Sequence, residues 1–439
     1  MSSKEFLRQE CKNIKDVLEE TLRFKYGLDG SKEFFEECET RRTFIESEIN
    51  NVPESDYSSL EDIGININEL SGLISRIERS SLGEYSWPFV EELKKIAIAV
   101  CRESTLIGND TPPKVYVLSD GGLDAYRIYT EPNRPRVSRR RILTIVFPRT
   151  LKYFVLLHPI LGHEVGHAIW RCSKLQYELK KIVQEELIDS GGKFESPAST
   201  ASWIYDKNSP LAIKNYLSFL SKHGINDANL FHWADWEAWK EEILCDLIGL
   251  LSFGPSFVAA HCELLYALAP TGASFGDEHP PVGSRIKMVI RAANLLGYND
   301  TSGLSDGDYK EGVNKFWTNL DARKQDDPWY DIFSDQQLIS VMERISTLLG
   351  QYPPALYQET TPEVLSALFN KVQKQVPPVG YEINEDGLGI CKKVDFRNIL
   401  YVGWIAKQQI PDMPFLKLNQ LCEYAILQQR GIDIFLDGV

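Results

Sequence analysis

Polar side chains interrupt the apolar stretch LLHPILGHEVGHAIW, residues 156–170, and this feature constrains the fold more than any other. His163 and His167 are four residues apart, Glu164 lies between them, and the flanking residues are mostly aliphatic or aromatic. The apolar residues favour a buried helix, in which unpartnered polar groups would cost several kcal/mol. The sequence therefore predicts a helix whose titratable side chains share a bound partner.

The spacing of the two histidines indicates what that partner is. Positions i and i+4 of a helix lie on one face, about 5–6 Å apart at Cβ, so His163 and His167 can bind one Zn²⁺. Glu164, on the flank of that face, can reach a zinc-activated water but cannot easily bind the ion. In this HExxH arrangement the glutamate is the general base while the water attacks a carbonyl. The alternative, two surface histidines beside a solvated glutamate, conflicts with the apolar flanks.

Gly166 predicts a close neighbour for this helix. A glycine in the middle of a helix costs about 1 kcal/mol relative to alanine. Its missing side chain lets another backbone come near. We therefore expect a second segment to pack against the helix at Gly166.

The segment DWEAWKEEILCDLIGLL, residues 235–251, offers a third zinc ligand. Catalytic zinc takes three protein ligands and leaves a position for water. Asp246 lies among apolar residues, and Glu242 lies four residues earlier on the same helical face. We predict that Glu242 binds zinc and that Asp246 accepts the free ring N–H of a ligand histidine. Glu241 is the rival ligand, and a solvated helix start is the other alternative for the two glutamates.

A third segment, DEHPPVGSRIKMVIRAANLLG at residues 277–297, adds candidate residues for catalysis. Pro280 and Pro281 favour a helix start. His279 stands just outside that start, and Arg285 lies within its first turns. A cation or N–H donor there would steady the oxyanion of a tetrahedral intermediate. The alternative is a turn histidine and a surface arginine.

The remaining histidines show no comparable pattern. His158 lies five residues before His163 and therefore off its face, which favours a structural role. His223, His232 and His261 have no partner pattern, so no functional role is predicted for them.

Together, HEVGH, EILCD and HPPVGSRI, in this order, resemble the catalytic core of gluzincin metallopeptidases of the HtpX and CAAX-prenyl protease type. The resemblance spans roughly residues 86–300 and implies a Zn²⁺ cofactor held by His163, His167 and Glu242. It implies Glu164 as catalytic base and Asp246 as a partner behind the ligands, with the third segment near the site. It also implies a peptide substrate extended along a sheet edge. The chain departs from HtpX-type proteases because it has no convincing membrane-spanning run.

The fold class expected is α+β and predominantly helical, with a zincin-type catalytic domain. Strands are predicted at 114–119 and 140–150, with a third between them. The predicted regions are an N-terminal helical region 1–84, a metallopeptidase domain 85–300 and a C-terminal helical region 301–439. One-face apolar stripes in the first region indicate either a packed helical bundle or a partner-binding coiled coil.

The composition limits which binding partners and which cellular compartment we expect. The net charge of -14 argues against broad nucleic-acid binding. Five arginines within 133–141 form either a recognition patch for an acidic partner or a solvated loop. The eight cysteines are scattered without a CxxC pair, which favours a reducing cytoplasm over a disulfide framework. The apolar run 243–270 contains charged residues and a Gly-Pro break, so we predict two buried helices and no membrane insertion.

The function predicted from these features is that of a zinc metalloendopeptidase acting on a protein or peptide substrate. Two alternatives remain open. One is a zinc-stabilised, catalytically idle protein-binding module. The other is a latent protease released by a signal or by a regulatory protein that binds the helical flanks.

Overall fold

The structure is a computed structural model, and its contacts divide the chain into two units. They are Met1–Trp87 with Arg102–Lys152, and Pro88–Cys101 with Tyr153–Val439. The residues that it describes are 2–21, 31–79, 86–102, 112–120, 126–130, 142–172, 175–183, 185–186, 236–268, 278–325, 334–380, 382–383, 389–390 and 393–436. The arginine-rich stretch 133–141 lies outside them.

The first unit combines helices with a small mixed sheet. Its described elements are α1 (Ser3–Thr21), α2 (Ser31–Asn51), α3 (Tyr57–Arg79), β1 (Lys114–Ser119), β2 (Arg127–Thr130) and β3 (Ile142–Phe147). The strand order is β1-β3-β2, with β1 parallel and β2 antiparallel to β3. The predicted strands are therefore confirmed, and β1 and β2 are the outer strands.

One hydrophobic core joins these helices to the sheet. The apolar stripe of α1, which includes Leu7 and Ile14, faces inward with the stripes of α2 and α3. Leu118 and Ile142 from the sheet belong to the same core. The N-terminal stripes are therefore buried within this unit, as a packed bundle requires. The sheet groups with the N-terminal helices, which differs from the predicted boundary at residue 85.

The second unit is almost entirely helical in its described parts. Its helices are α4 (Trp87–Val100), α5 (Leu161–Cys172), α6 (Gln176–Ile182), α7 (Trp236–Phe253), α8 (Pro255–Leu268), α9 (Val282–Leu295), α10 (Asp308–Gln325), α11 (Asp335–Leu349), α12 (Pro362–Gln373), α13 (Phe396–Gln409) and α14 (Phe415–Leu436). Two short strands, β4 (Glu382–Ile383) and β5 (Gly389–Ile390), pair antiparallel. With both units, the predicted α+β class with helices predominating is confirmed.

The helices α5 and α7 cross at unusually close range. A Cβ added at Gly166 would lie 2.8 Å from Cys245 Cα, and one at Gly162 would lie 3.0 Å from Gly249 Cα. Real Cβ atoms essentially never approach backbone as closely as the first distance, so a side chain at position 166 would force the helices to move. The expected close neighbour of Gly166 is therefore confirmed, and it is the helix that carries Glu242.

The C-terminal helices support this pair of helices from within the same unit. The Arg397 guanidinium on α13 donates to the Ser252 carbonyl at the end of α7, at 2.6 Å. The Trp404 indole donates to the Leu156 carbonyl ahead of α5, at 2.9 Å. These bonds explain why no boundary falls at residue 301, where the sequence predicted one.

The apolar run 243–270 forms α7 and α8, which meet at Gly254. The backbone there has φ +59°, a left-handed conformation that favours glycine. The prediction of two buried helices is confirmed. None of the helices in the described ranges is both long and apolar enough to cross a bilayer.

Candidate metal centre

Three side chains from α5 and α7 converge on one point. His163 Nε2 lies 3.0 Å from His167 Nε2 and 3.4 Å from Glu242 Oε2. His167 Nε2 lies 3.1 Å from Glu242 Oε1. All three side chains are largely buried. The three predicted ligands are thus brought together, and as a group they could hold a metal ion.

Each histidine has a carboxylate on its other ring nitrogen. His163 Nδ1 lies 2.8 Å from Asp246 Oδ1, and His167 Nδ1 lies 2.6 Å from Glu241 Oε1. When both Nδ1–H groups donate to these carboxylates, both Nε2 atoms present lone pairs. Two imidazole lone pairs and the Glu242 carboxylate then face one another. With the acceptors arranged in this way, the group could hold a metal ion.

The role of Glu241 was missed by sequence reasoning, which considered it only as a rival ligand. A signal for it was nevertheless present, because Glu241 lies four residues before Cys245 on the same helical face. Cys245 is the residue that packs against Gly166 where α5 and α7 cross. Asp246, in contrast, occupies the place that the sequence predicted for it.

The electrostatics of the centre favour positive charge at its middle. Burial opposes ionisation of Glu242, but the charges of Arg285 and His163 outweigh it and hold the Glu242 pKa well below its usual range. Burial also opposes protonation of both imidazoles. Glu242 and Asp246 nevertheless raise the His163 pKa to about 9. Glu241 and Glu242 raise the His167 pKa to about 9. Both shifts show how strongly the carboxylates attract a cation.

Arg285 is buried against two of these carboxylates. Its Nε and Nη2 donate to Asp246 Oδ2 and Oδ1 at 2.8 and 2.7 Å. Its Nη1 lies 3.0 Å from Glu242 Oε2. Arg285 is 5% exposed, which excludes the alternative of a surface arginine. Its place also differs from the predicted oxyanion contact, because its donors are directed at Glu242 and Asp246.

The other predicted residues lie at the exposed side of the cluster. The His279 side chain is 58% exposed, and its Nε2 lies 3.6 Å from Glu242 Oε1. Glu164 is half-buried on α5, next to His163. Its negative charge contributes to the raised His167 pKa. Both residues therefore belong to the neighbourhood of the three converging side chains.

Two histidines without a sequence pattern also take defined positions. His158 is fully buried and its ring packs on Phe89, with centroids 5.2 Å apart, which agrees with a structural role. His261 lies with its Nε2 3.2 Å from Asp246 Oδ1. Nothing in the sequence spacing links His261 to the centre, because it reaches Asp246 from a different helix, α8.

No family model, curated protein or solved structure matches this chain. The likeness to gluzincins therefore depends on the three motifs alone and stays a prediction.

Proposed function

We propose that this chain is a zinc-dependent endopeptidase of gluzincin type. One observation carries the proposal: His163, His167 and Glu242 place three acceptor atoms in a buried triangle. Two imidazoles and a carboxylate are the ligand set of many catalytic zinc sites.

The dimensions of the triangle suit zinc. With ligand bonds of about 2.0–2.1 Å, two ligand atoms on a tetrahedral zinc lie roughly 3.3 Å apart. The three separations here are 3.0, 3.1 and 3.4 Å. The side chains therefore need little movement to close on the ion. The carboxylates behind each histidine orient its ring and raise its basicity, as in other zinc sites.

The number of ligands supports a catalytic site over a structural one. Structural zinc is closed by four protein ligands, whereas catalytic zinc keeps one position for water or substrate. Among the residues that the structure describes, the group holds three. This count weighs against the alternative of an idle, zinc-stabilised binding module.

The residues of the chain then have distinct tasks. A bound zinc supplies Lewis-acid activation of a water molecule and of the substrate carbonyl. Glu164 accepts the proton of the attacking water and returns it to the leaving amine. His279, exposed beside Glu242, donates to the developing oxyanion. Arg285 does not touch the substrate and instead holds Glu242 and Asp246 in place.

The proposal also covers the substrate, the cellular location and the regulation of the enzyme. The substrate is a protein or peptide, and pairing with an outer strand of the sheet stays a prediction. A cytoplasmic location is supported by six cysteines that are free and buried: Cys11, Cys38, Cys101, Cys245, Cys262 and Cys422. Release of a latent enzyme by a regulatory partner stays a prediction as well.

The test is the variant E164Q. It should keep zinc and thermal stability, because Glu164 is not a ligand in the proposal. It should lose about 10²–10⁴-fold in the rate of peptide-bond cleavage, the usual contribution of a general base. Zinc content, thermal unfolding and digestion of a proteome-derived peptide library measure the three properties.

The matched control is E178Q, the same chemical change at an exposed position of α6. It should cleave the library like the wild-type chain. An E164Q variant that cleaves as fast as wild type would falsify the assignment of the base.

A further inference from the structure

His261 lies in the core beside the metal centre. It is 1% exposed on α8. Its ring stacks on Phe257 at 4.8 Å and 19°, and on His163 at 6.0 Å and 30°. The ring of a proposed zinc ligand is thus stacked on a second imidazole from another helix.

Three nitrogens approach a single oxygen of Asp246. They are Arg285 Nη2 at 2.7 Å, His163 Nδ1 at 2.8 Å and His261 Nε2 at 3.2 Å. They come from α9, α5 and α8, while Asp246 itself is on α7. Four helices therefore meet at this one oxygen. Any change in the position of Asp246 also changes the hydrogen bond that orients the His163 ring.

Packing alone does not explain why residue 261 is a histidine with two ring nitrogens. Both ring nitrogens are buried, and in the described part of the chain Nδ1 has no hydrogen-bond partner, while Nε2 has only the 3.2 Å approach to Asp246 Oδ1, outside ideal alignment. An unsatisfied buried polar group costs about 1–3 kcal/mol. A phenylalanine would stack equally well on Phe257 without that cost. The polar edge of His261 therefore needs another explanation, and its 3.2 Å approach to Asp246 provides one.

We propose that His261 is a positioning residue of the metal centre, whose Nε2 holds Asp246, and through Asp246 the His163 ring, in the orientation that binds the ion. The Arg285 fork fixes both oxygens of Asp246 from one side. His261 adds a restraint on Asp246 Oδ1 from another direction, through its Nε2. The inference rests on the metal centre of the proposed function but not on peptidase activity.

Two substitutions separate the nitrogen of His261 from its ring. H261F keeps an aromatic ring against Phe257 and removes both nitrogens. H261Q removes the ring and keeps an N–H donor near the position of Nε2. The measurements are zinc affinity by competition with a chelator, the visible spectrum of the Co²⁺-loaded protein, and unfolding of the metal-free protein.

The positioning role predicts opposite results for the two variants. H261F should bind zinc about 10–100-fold more weakly, as for other residues behind metal ligands, and its Co²⁺ spectrum should change. H261Q should recover most of the affinity even if its metal-free form is less stable. If His261 served only for packing, H261F would bind zinc more tightly than H261Q.

A matched control is F257L, which disturbs the same stack at a residue without nitrogens. It should lower stability and leave zinc affinity unchanged. The inference is overturned if H261F binds zinc like wild type, if F257L weakens binding as much as H261F, or if the wild-type chain binds neither metal. H261L replaces H261F if the latter does not fold, with the same expected loss.

These outcomes are independent of peptide cleavage. A chain that binds zinc, weakens in H261F and cleaves no peptide would refute the proposed enzyme and leave the role of His261 intact. If the wild-type chain cleaves peptides and H261F binds zinc normally, the role of His261 is refuted and the proposed enzyme is kept.

Discussion

The two histidines of the metal centre have the same contact in different surroundings. His163 donates to Asp246, which is fully buried and tied to the equally buried Arg285. His167 donates to Glu241, whose other partner, Arg171, has a side chain that is 60% exposed. The distances are similar, at 2.8 and 2.6 Å. The energies of the two arms should differ, because water reaches Arg171 at the outer end of the second arm and is excluded from the whole of the first.

The buried arm, formed by His163, Asp246 and Arg285, should therefore contribute to stability. The exposed arm, formed by His167, Glu241 and Arg171, should mainly orient the His167 ring. In the buried arm, removal of either charged group leaves the other charge buried, unpaired and out of contact with water. In the exposed arm, water solvates the outer group, Arg171, so a charge removed there is replaced by solvent. Four substitutions test this difference, and they follow in order of expected effect.

D246A breaks the buried arm. It leaves Arg285 charged and buried beside a missing partner, which should lower the free energy of unfolding by about 3–5 kcal/mol. Denaturant unfolding of the metal-free protein measures the loss. A loss as small as that for the exposed arm would refute the comparison.

G166A should disturb both arms together. The new Cβ would lie 2.8 Å from Cys245 Cα, and Cys245 is adjacent in sequence to Asp246. Because backbone must move, we expect a loss of about 1–3 kcal/mol in unfolding free energy, together with weaker zinc binding. The control is G72A on α3, where an added Cβ meets nothing within 4 Å. Equal stability of G166A and G72A would rule out a tight crossing.

E241Q weakens the exposed arm. The ligand histidine loses a carboxylate partner, so zinc affinity should fall roughly 10-fold, the lower end for such partners. The unfolding free energy of the metal-free protein should change by less than about 1 kcal/mol, because glutamine keeps a hydrogen-bond acceptor beside His167 and the charge left without its partner, Arg171, is solvated by water. A stability loss equal to that of D246A would remove the distinction between the arms.

R171A has the smallest expected effect. An exposed ion pair contributes about 0.2–1 kcal/mol and is screened by salt. Zinc affinity of R171A should therefore fall slightly in dilute buffer and match wild type near 1 M salt. A deficit that persists at high salt would mean that Arg171 is more than a screened surface charge.

The sequence predicted the parts of the site that depend on helical spacing. His163, His167, Glu242 and Asp246 could be placed because each pair lies one turn apart on a single helix. Gly166 indicated the close crossing, because a mid-helix glycine in an apolar helix needs a packing reason.

The missed parts depend on long-range geometry. Glu241 and Glu242 differ by about 100° around α7, and only the rotation of α7 against α5 decides which one lies between the two Nε2 atoms. His261 meets Asp246 through packing of α8, and no spacing along the chain records that contact. The sheet joins the N-terminal helices because Leu118 and Ile142 share their core, whereas order along the chain suggested a place with the zinc helix.

The most direct test is the coordination of zinc in the purified chain, measured by metal content and X-ray absorption. The account predicts one zinc per chain with two imidazole nitrogens and oxygen ligands, and loss of that zinc in H163A and H167A. A chain that holds no zinc, or zinc with sulfur ligands that survives both substitutions, would contradict it.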